Sequence, residues 1–381
     1  MEKGQEYLCT VKPLDIYFLG GERNFQFGKA KSSDKVEYYL KSEYLPQQST
    51  LVGMLRFMML SKAGLLNEDG FVRDDIVRAA NREKNASHSA AQDELIGKSG
   101  FHANAKKALE DYGKLYEVGP LFVVKRTEDG NHRLVRTPLN HKKGADVKSY
   151  QPFHMKSGYR TGNGNNMILP IDYCAKDGIE DSYIDIDDGG RIYGIDEIFG
   201  EKEHTRIGRS LDEDGYFKMM YRYLKDGYSF GFYSRIEEDT LPENGITCIG
   251  QGKSAFDFQL TGTEGNGMAS LLDSIHNLPG CPDVSVYLAL SDLFMDIGEK
   301  DECHFRYSIV ENKTFRTLNH TEAKDDYLTS RKKSKLFQLV RAGSVFYINP
   351  SEEDYFLSML DQPGLKQVGF NYAVKMGGNA K

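Results

Sequence analysis

Tryptophan is absent from the 381 residues, and 23 tyrosines and 21 phenylalanines carry the aromatic load. No run of about 18 apolar residues occurs, so no membrane-spanning helix is expected. The N-terminus, MEKGQEYLCT, lacks the apolar core of a signal peptide. Five cysteines (Cys9, Cys174, Cys248, Cys281, Cys303) are odd in number, widely spaced and form no C-x-x-C. That argues against a zinc site or a disulfide framework and fits reduced thiols in a cytoplasm. Also missing are G-x-S-x-G, H-E-x-x-H and a paired-carboxylate motif, and IGQGKS at 249–254 lacks the Walker A spacing. No catalytic constellation, metal or cofactor is therefore expected. Positive charge is scarce too: the net charge is −7 and the pI about 5.8. Taken alone, that balance disfavours a free-standing nucleic-acid binder.

The charge is unevenly spread. Residues 98–148 hold eleven Lys/Arg against six Asp/Glu, and residues 171–200 hold two against nine. An acidic average can thus hide a basic face. Apolar content of 39% is enough for a sizeable core, and the length suggests two domains, 1–235 and 236–381.

Near-alternation predicts a first strand over 7–19, and GGERNFQFGKAKSSDK then reads as a glycine-rich polar loop. Leu51, Met54, Leu55, Met58 and Met59 recur at the helical period, predicting a helix over 49–63 that Ser49 or Thr50 can cap. Residues 66–114 read as a polar helical insertion. A hairpin is predicted across 119–127 and 131–137, joined by TEDG, and a long loop across 138–168. EHTRIGRSLDEDGYFKMMYRYLKDGYSFGFYSRI reads as turns and strands. A second cycle follows: a strand in TCIGQGKSAFDFQL, a helix near 268–278, strands in DVSVYLALS and KLFQLVRAGSVFYI, a helix at 351–360 and a last strand in QVGFNYAV. Two such strand-helix-strand-strand-helix-strand cycles suggest an α+β chain of two ferredoxin-like (RRM-like) domains in tandem.

Four stretches invite a ligand. Gly53 inside the first helix costs roughly 1 kcal/mol against alanine, so close approach by a strand or a phosphate chain would account for it; Arg56 is either an ion-pair partner or an anion contact. In HKKGADVKSYQPFHMKSGYR (141–160), Lys142, Lys143, Lys148, Lys156 and Arg160 offer charge, and Tyr150, Phe153, His154 and Tyr159 offer stacking faces. Single-stranded nucleic acid needs both, and a solvated loop is the plainer reading. HTRIGRS gathers His204, Arg206 and Arg209 about a turn, and Lys253 follows two glycines where bare backbone can meet phosphate. DIDDGGRIYGID (185–196) has the length of a calcium loop but reads better as a hairpin turn. His102, His132, His141 and His154 are scattered, and RKKSK (331–335) reads as a solvated face.

Taken in order, PLDIYFLGGERNF (13–25), LPQQSTLVGMLR (45–56), TRIGRSLDEDGYFKMMYRYLKDGYSFGFY, GQGKSAFDF, VRAGSVFYI and QVGFNYAVKMG resemble segments of the RAMP proteins of type III CRISPR systems, most closely subunit three of the Cmr (type III-B) effector. The match runs from residue 13 to 377, and its order is more specific than any one segment. The resemblance implies two ferredoxin-like domains with helical insertions and a non-catalytic subunit. Such a subunit grips the repeat-derived 5′ tag of the guide RNA (crRNA) and seats the large polymerase/cyclase-like subunit beside the RAMP backbone subunits. By motif, Ser49, Thr50, Gly53, Arg56, His204, Arg206 and Arg209 would face RNA. The roles of Lys142, Lys143, His154, Lys156, Tyr159, Arg160 and Lys253 rest on chemistry alone. The alternative is a metal-independent endoribonuclease that processes CRISPR repeat RNA, with a histidine such as His102 or His141 as base and Lys142 beside the developing charge. A protein-only scaffold is the third reading.

Overall fold

The computed structural model describes residues 3–27, 36–67, 90–99, 101, 109–142, 147–160, 162, 164, 166–173, 181–207, 216–250, 254–295, 305–315, 318–320, 331–333 and 336–378. The chain starts with β1 (Gln5–Pro13), β2 (Gly20–Phe27), β3 (Val36–Ser42), α1 (Gln48–Lys62) and α2 (Ala90–Ile96). It continues through β4 (Leu115–Val118), β5 (Phe122–Thr127), β6 (Gly130–Arg136), β7 (Met155–Arg160), β8 (Asn166–Pro170), β9 (Ser182–Asp185), β10 (Ile192–Gly194) and α3 (Ile195–Ile198). Next come β11 (Phe199–Ile207), β12 (Tyr216–Leu224), β13 (Tyr228–Ile236), β14 (Asn244–Ile249), β15 (Ser254–Gly262) and α4 (Gly267–His276). The last part holds β16 (Ser285–Ala289), β17 (Phe305–Ile309), β18 (Asn312–Phe315), β19 (Leu318–His320), β20 (Arg331–Lys333), β21 (Phe337–Val340), β22 (Val345–Ile348), α5 (Glu353–Leu360), α6 (Pro363–Lys366) and β23 (Ala373–Met376).

A nine-stranded sheet runs β10-β9-β6-β5-β13-β1-β15-β14, with β4 also on β13, and a four-stranded sheet runs β17-β22-β16-β23. At the centre of each, the four strands taken by chain position lie in the order 2-3-1-4: β5-β13-β1-β15 and β17-β22-β16-β23. Every one of these pairings is antiparallel. That is the strand order of a split β-α-β unit, and among the described residues each sheet shows a helix at one of the two helix positions. α1 follows the first strand of the large sheet, while β14, a strand, stands between β13 and β15. α5 and α6 lie between β22 and β23, and the described residues between β16 and β17 contain no helix. The structure is thus strand-rich mixed α/β, with antiparallel sheets and few helices among the described residues. β14 and β15 pair in the sheet of β1.

Side-chain alternation sorts the cores. Cys9 and Val11 of β1, Phe230 and Phe232 of β13, and Phe256 and Phe258 of β15 face the buried row Leu51, Val52, Met54, Leu55, Met58 and Met59 of α1. Each fully buried side chain of this kind contributes roughly 1.5–3 kcal/mol. The opposite face supplies Phe122, Val124, Val135 and Tyr233 to a second core, shared with Leu271 and Ile275 of α4 and with Val286, Leu288, Val345 and Tyr347 of the small sheet. Beyond that sheet, Phe346 and Ile348 pack on Phe356 and Leu360 of α5. The layers therefore run α1, large sheet, shared core with α4, small sheet, α5.

Several sequence expectations shift. GGERNFQF is strand β2, not loop, because it has β3 to pair with; pairing overrides local propensity. Within 138–168 lie β7 and much of β8. KLFQLVRAGSVFYI breaks into β21 and β22 at a turn over 341–344, and the last strand begins at Ala373, after α6. Within 66–114 the described residues hold only the seven-residue α2. The TEDG hairpin forms as β5–β6, with Thr127 opposite Gly130.

Candidate nucleic-acid interface

The basic, aromatic segment 138–173 is tied down from within. Tyr150 Oη donates to Asn140 Oδ1 (2.8 Å), whose Nδ2 donates to Tyr347 Oη (2.8 Å). The Tyr150 amide donates to Gly190 O, and the Phe153 amide to Asn140 O. Tyr150 and Phe153 are buried, so neither is the stacking face their sequence suggested. They are anchors, since burying an aromatic ring outweighs leaving it in water.

These anchors bring three polar side chains together. Lys142 Nζ lies 2.8 Å from Asp172 and 3.2 Å from His154 Nδ1. The Asp172 carboxylate also meets His154 Nδ1 at 3.2 Å and accepts from the His154 amide at 2.9 Å. Partial burial raises the Asp172 pKa, but the hydrogen bonds from Lys142 and the His154 amide outweigh it and hold it below the usual carboxylate value. Beside them an open cleft of about 480 Å³ runs between Gln151–Met155 and Pro279–Pro282. His141 is turned inward: its Nδ1 takes the Gln151 amide (3.2 Å) and burial lowers its pKa. Lys156, Tyr159 and Arg160 continue onto β7, where all three are exposed. Lys143 lies outside the described residues.

The helix of the motif STLVGMLR begins one residue earlier than its hydroxyls suggested. Its N-cap is Gln47, with no side-chain capping bond, and Ser49 and Thr50 sit half-buried in the first turn. Gln48 is buried, and its Nε2 donates to Gly119 O (3.2 Å) and Gly369 O (3.0 Å). Gly369 has φ +88°, and a Cβ there would run into that amide. Arg56 points back into the protein. Its Nη1 donates to Ser99 O (2.8 Å), its Nη2 to Gly97 O (3.1 Å), and its guanidinium stands 5.6 Å over the Tyr112 ring. Burial lowers its pKa, and nearby Tyr112 and Asp111 only partly oppose this. Gly53 is exposed, and among the described residues no atom lies within 4 Å of where its Cβ would stand. Phe57, one turn further along, is also exposed (41%).

β2, β3, β11 and β12 form a separate four-stranded arm in the order β11-β12-β3-β2. On it His204 lies half-exposed, 5.1 Å from the Tyr221 ring, and Arg206 stands opposite Phe217 in the ladder. Arg209 and Lys253 lie outside the described residues. Near Lys253, Gly250 takes φ +84° against the Phe18 carbonyl. The arm is rooted by Arg222, which is fully buried: its Nε donates to Ser42 O (3.3 Å), Nη1 pairs with Glu201, and the guanidinium lies 3.9 Å from the Tyr44 ring centroid. Nothing in MMYRYLKD sets Arg222 apart from an exposed arginine.

A third cationic site spans the two sheets. Arg136 pairs with Asp181 and with Glu311 (2.6 Å) and donates to Ala342 O (2.9 Å). Arg341 pairs with Glu311 (2.7 Å), and Lys313 with Asp292 (3.3 Å). These cations are balanced by carboxylates, and no motif announced them. In DIDDGGRIYGID, β9 and β10 do form a hairpin. Asp185 Oδ1 accepts the Asp187 and Asp188 amides, and its Oδ2 lies 3.0 Å from His132. His132, Asp185 and Asp188 bring ligand atoms within 4.8 Å of one another, and their contacts among themselves build the turn.

No family model and no curated protein matches this chain. Solved structures do. A chain of the type III-B Cmr-beta bound to cognate target RNA is 11% identical, with 96% of this chain and 96% of that one covered and a TM-score of 0.46. A chain of the type III-B Cmr-beta bound to cognate target RNA and AMPPnP, state 1, is 11% identical over 97% and 98%, with a TM-score of 0.44. At that identity and those TM-scores, neither likeness decides a family. Among the described residues, no helix is long and apolar enough to cross a membrane.

Proposed function

We propose that this chain is a non-catalytic guide-RNA-binding subunit of a type III CRISPR effector. It holds the 5′ repeat-derived tag of the crRNA and docks the large polymerase-like subunit beside RAMP backbone subunits. One observation carries the reading: segments that resemble the RAMP family, in the family's order, enter strands of both sheets and the helix α1. PLD ends β1, STLVGMLR is the body of α1, GQGKSAFDF enters β15, VRAGSVFYI enters β22, and QVGFNYAVKMG runs into β23. The two sheets these strands enter each hold four strands in antiparallel 2-3-1-4 order. Exposed Gly53 and Phe57 on α1 supply the partner-facing strip in this reading, and the arm with His204 and Arg206 supplies the tag contact.

The contacts among Lys142, His154 and Asp172 favour one second reading, metal-independent cleavage of repeat RNA. Asp172 meets His154 Nδ1 and the Lys142 ammonium lies 3.2 Å from Nδ1 and 3.5 Å from Nε2, which sets an exposed imidazole, the kind of group that transfers protons, between a carboxylate and a cation. One experiment separates the readings: purified chain with end-labelled repeat–spacer RNA, native against scrambled tag, over a salt series with EDTA present. Tag-dependent retention that weakens with salt, with intact RNA, is expected. Cleavage at a fixed site would favour the second reading, and retention indifferent to tag and salt would end the first.

A further inference from the structure

β7 and β8 form a two-stranded ribbon outside both layered sheets. Their register slips by one residue: Lys156 stands opposite Leu169 and Tyr159 opposite Met167, so Ser157 and Gly158 together face Ile168. This is a β-bulge, and Gly158 occupies it at φ +99°, a conformation glycine adopts without steric penalty. Its effect on direction is specific. Three residues apart in a regular strand, Lys156 and Tyr159 would point to opposite faces. Across the bulge they share one, because Leu169 and Met167 are two apart on β8. They stand about 7 Å from each other. The other face carries Ile168, which is buried in the shared core, together with Met155, which packs on it, and Arg160 opposite Asn166. The shared face is outward: Lys156 is exposed and Tyr159 is 40% accessible.

A bulge that sets a cation beside an aromatic ring on an open face suits one kind of occupant. In the sequence, residues 141–173 carry five Lys/Arg and two Asp/Glu within a chain of net charge −7. That local sign complements phosphate, and the ring needs a flat partner. We infer that the outer face of the β7–β8 ribbon, set by the bulge at Ser157–Gly158, is a sequence-independent contact for single-stranded RNA beyond the tag. Lys156 meets a backbone phosphate there, and Tyr159 stacks on the adjoining base. The inference rests on the guide-RNA reading above, but it places the contact on a ribbon that belongs to none of the RAMP-like segments.

The test compares binding of a tag-only oligonucleotide with a tag-plus-spacer oligonucleotide, for wild type, Tyr159→Ala, Tyr159→Phe, Lys156→Ala and Arg160→Ala. The spacer extension should tighten wild-type binding. Tyr159→Ala should lose about fivefold to 150-fold of that gain and Tyr159→Phe should keep it. Lys156→Ala should lower the salt slope for the longer RNA by about 0.7. Tag-only binding should not change in any variant, and the exposed positions leave the fold intact by circular dichroism. The inference is overturned if the extension adds nothing, if neither Tyr159→Ala nor Lys156→Ala reduces its effect, or if Arg160→Ala, on the opposite face, matches Lys156→Ala. If the tag sequence proves irrelevant while the ribbon variants still lose the extension's gain, the tag reading falls and the ribbon contact stands.

Discussion

Arg56 decides between two physical accounts of the α1 motif, and Arg56→Met tests them. In the structure the guanidinium makes two charge-assisted hydrogen bonds, to Gly97 O and Ser99 O, and stands over Tyr112. Such bonds contribute roughly 1.5–3 kcal/mol each, and a cation–π contact about 0.5–1 kcal/mol at a site of this exposure. Methionine keeps much of the stem's packing, and the freed carbonyls are near enough to the surface to rehydrate in part. The expected net loss is therefore about 2–4 kcal/mol, read as a lower urea midpoint. A buried strut makes no phosphate contact, so the salt slope of RNA binding should equal that of wild type in conditions where both are folded. A slope lowered by about 0.7 with an unchanged urea midpoint would refute the strut account and make Arg56 a phosphate contact.

Gly53→Ala should stabilise the isolated chain by up to about 1 kcal/mol, since a methyl there meets none of the described residues; weaker assembly with partner subunits in the same variant, measured by co-purification, is the expected mark of an external close approach. Gly369→Ala should destabilise by about 1–3 kcal/mol in urea unfolding, because φ +88° and the Gln48 amide both exclude a Cβ. Asp172 has a folded-state pKa below its unfolded value, so its contribution to stability is present above about pH 4 and is lost as pH falls through the lower, folded value. Asp172→Asn should remove that part of the acid dependence in urea midpoints taken from pH 6 to pH 2, and an unchanged profile would show that the Lys142 and His154 contacts contribute nothing.

What the sequence made legible follows from which forces are local. α1 was readable because five apolar side chains at helical spacing must bury one face, and the β5–β6 hairpin because TEDG favours a tight turn. The arm strand β2 was not, since its polar sequence becomes a strand only when β3 is there to pair with it. Tyr150 and Phe153 read as stacking faces because composition does not report direction; Asn140, ten residues from Tyr150 and 13 from Phe153, and Gly190, 40 from Tyr150, turn them inward. The same holds for Arg56, whose acceptors lie 41 and 43 residues on, and for Arg222, whose burial depends on Ser42, Tyr44 and Glu201.

The layering itself narrows where an RNA strand can lie. One face of the large sheet is covered by α1, and the other by α4 and the small sheet. The small sheet's outer face is in turn covered by α5. A stretch of the large sheet stays open, lined by Thr10, Lys12, Arg126, Ser229, Asp257 and Gln259, but Tyr228, the aromatic beside it, is buried. An open sheet without exposed rings cannot stack bases as RRM sheets do. An exposed ring and an exposed cation are instead found together on an element outside the layered sheets, the β7–β8 ribbon with Lys156 and Tyr159; on the arm His204 is half-exposed, but the Tyr221 ring beside it is buried. On the proposed reading an acidic average does not preclude RNA binding, because screening confines each contact to charges within about 10 Å, and the net charge of −7 belongs to the whole chain.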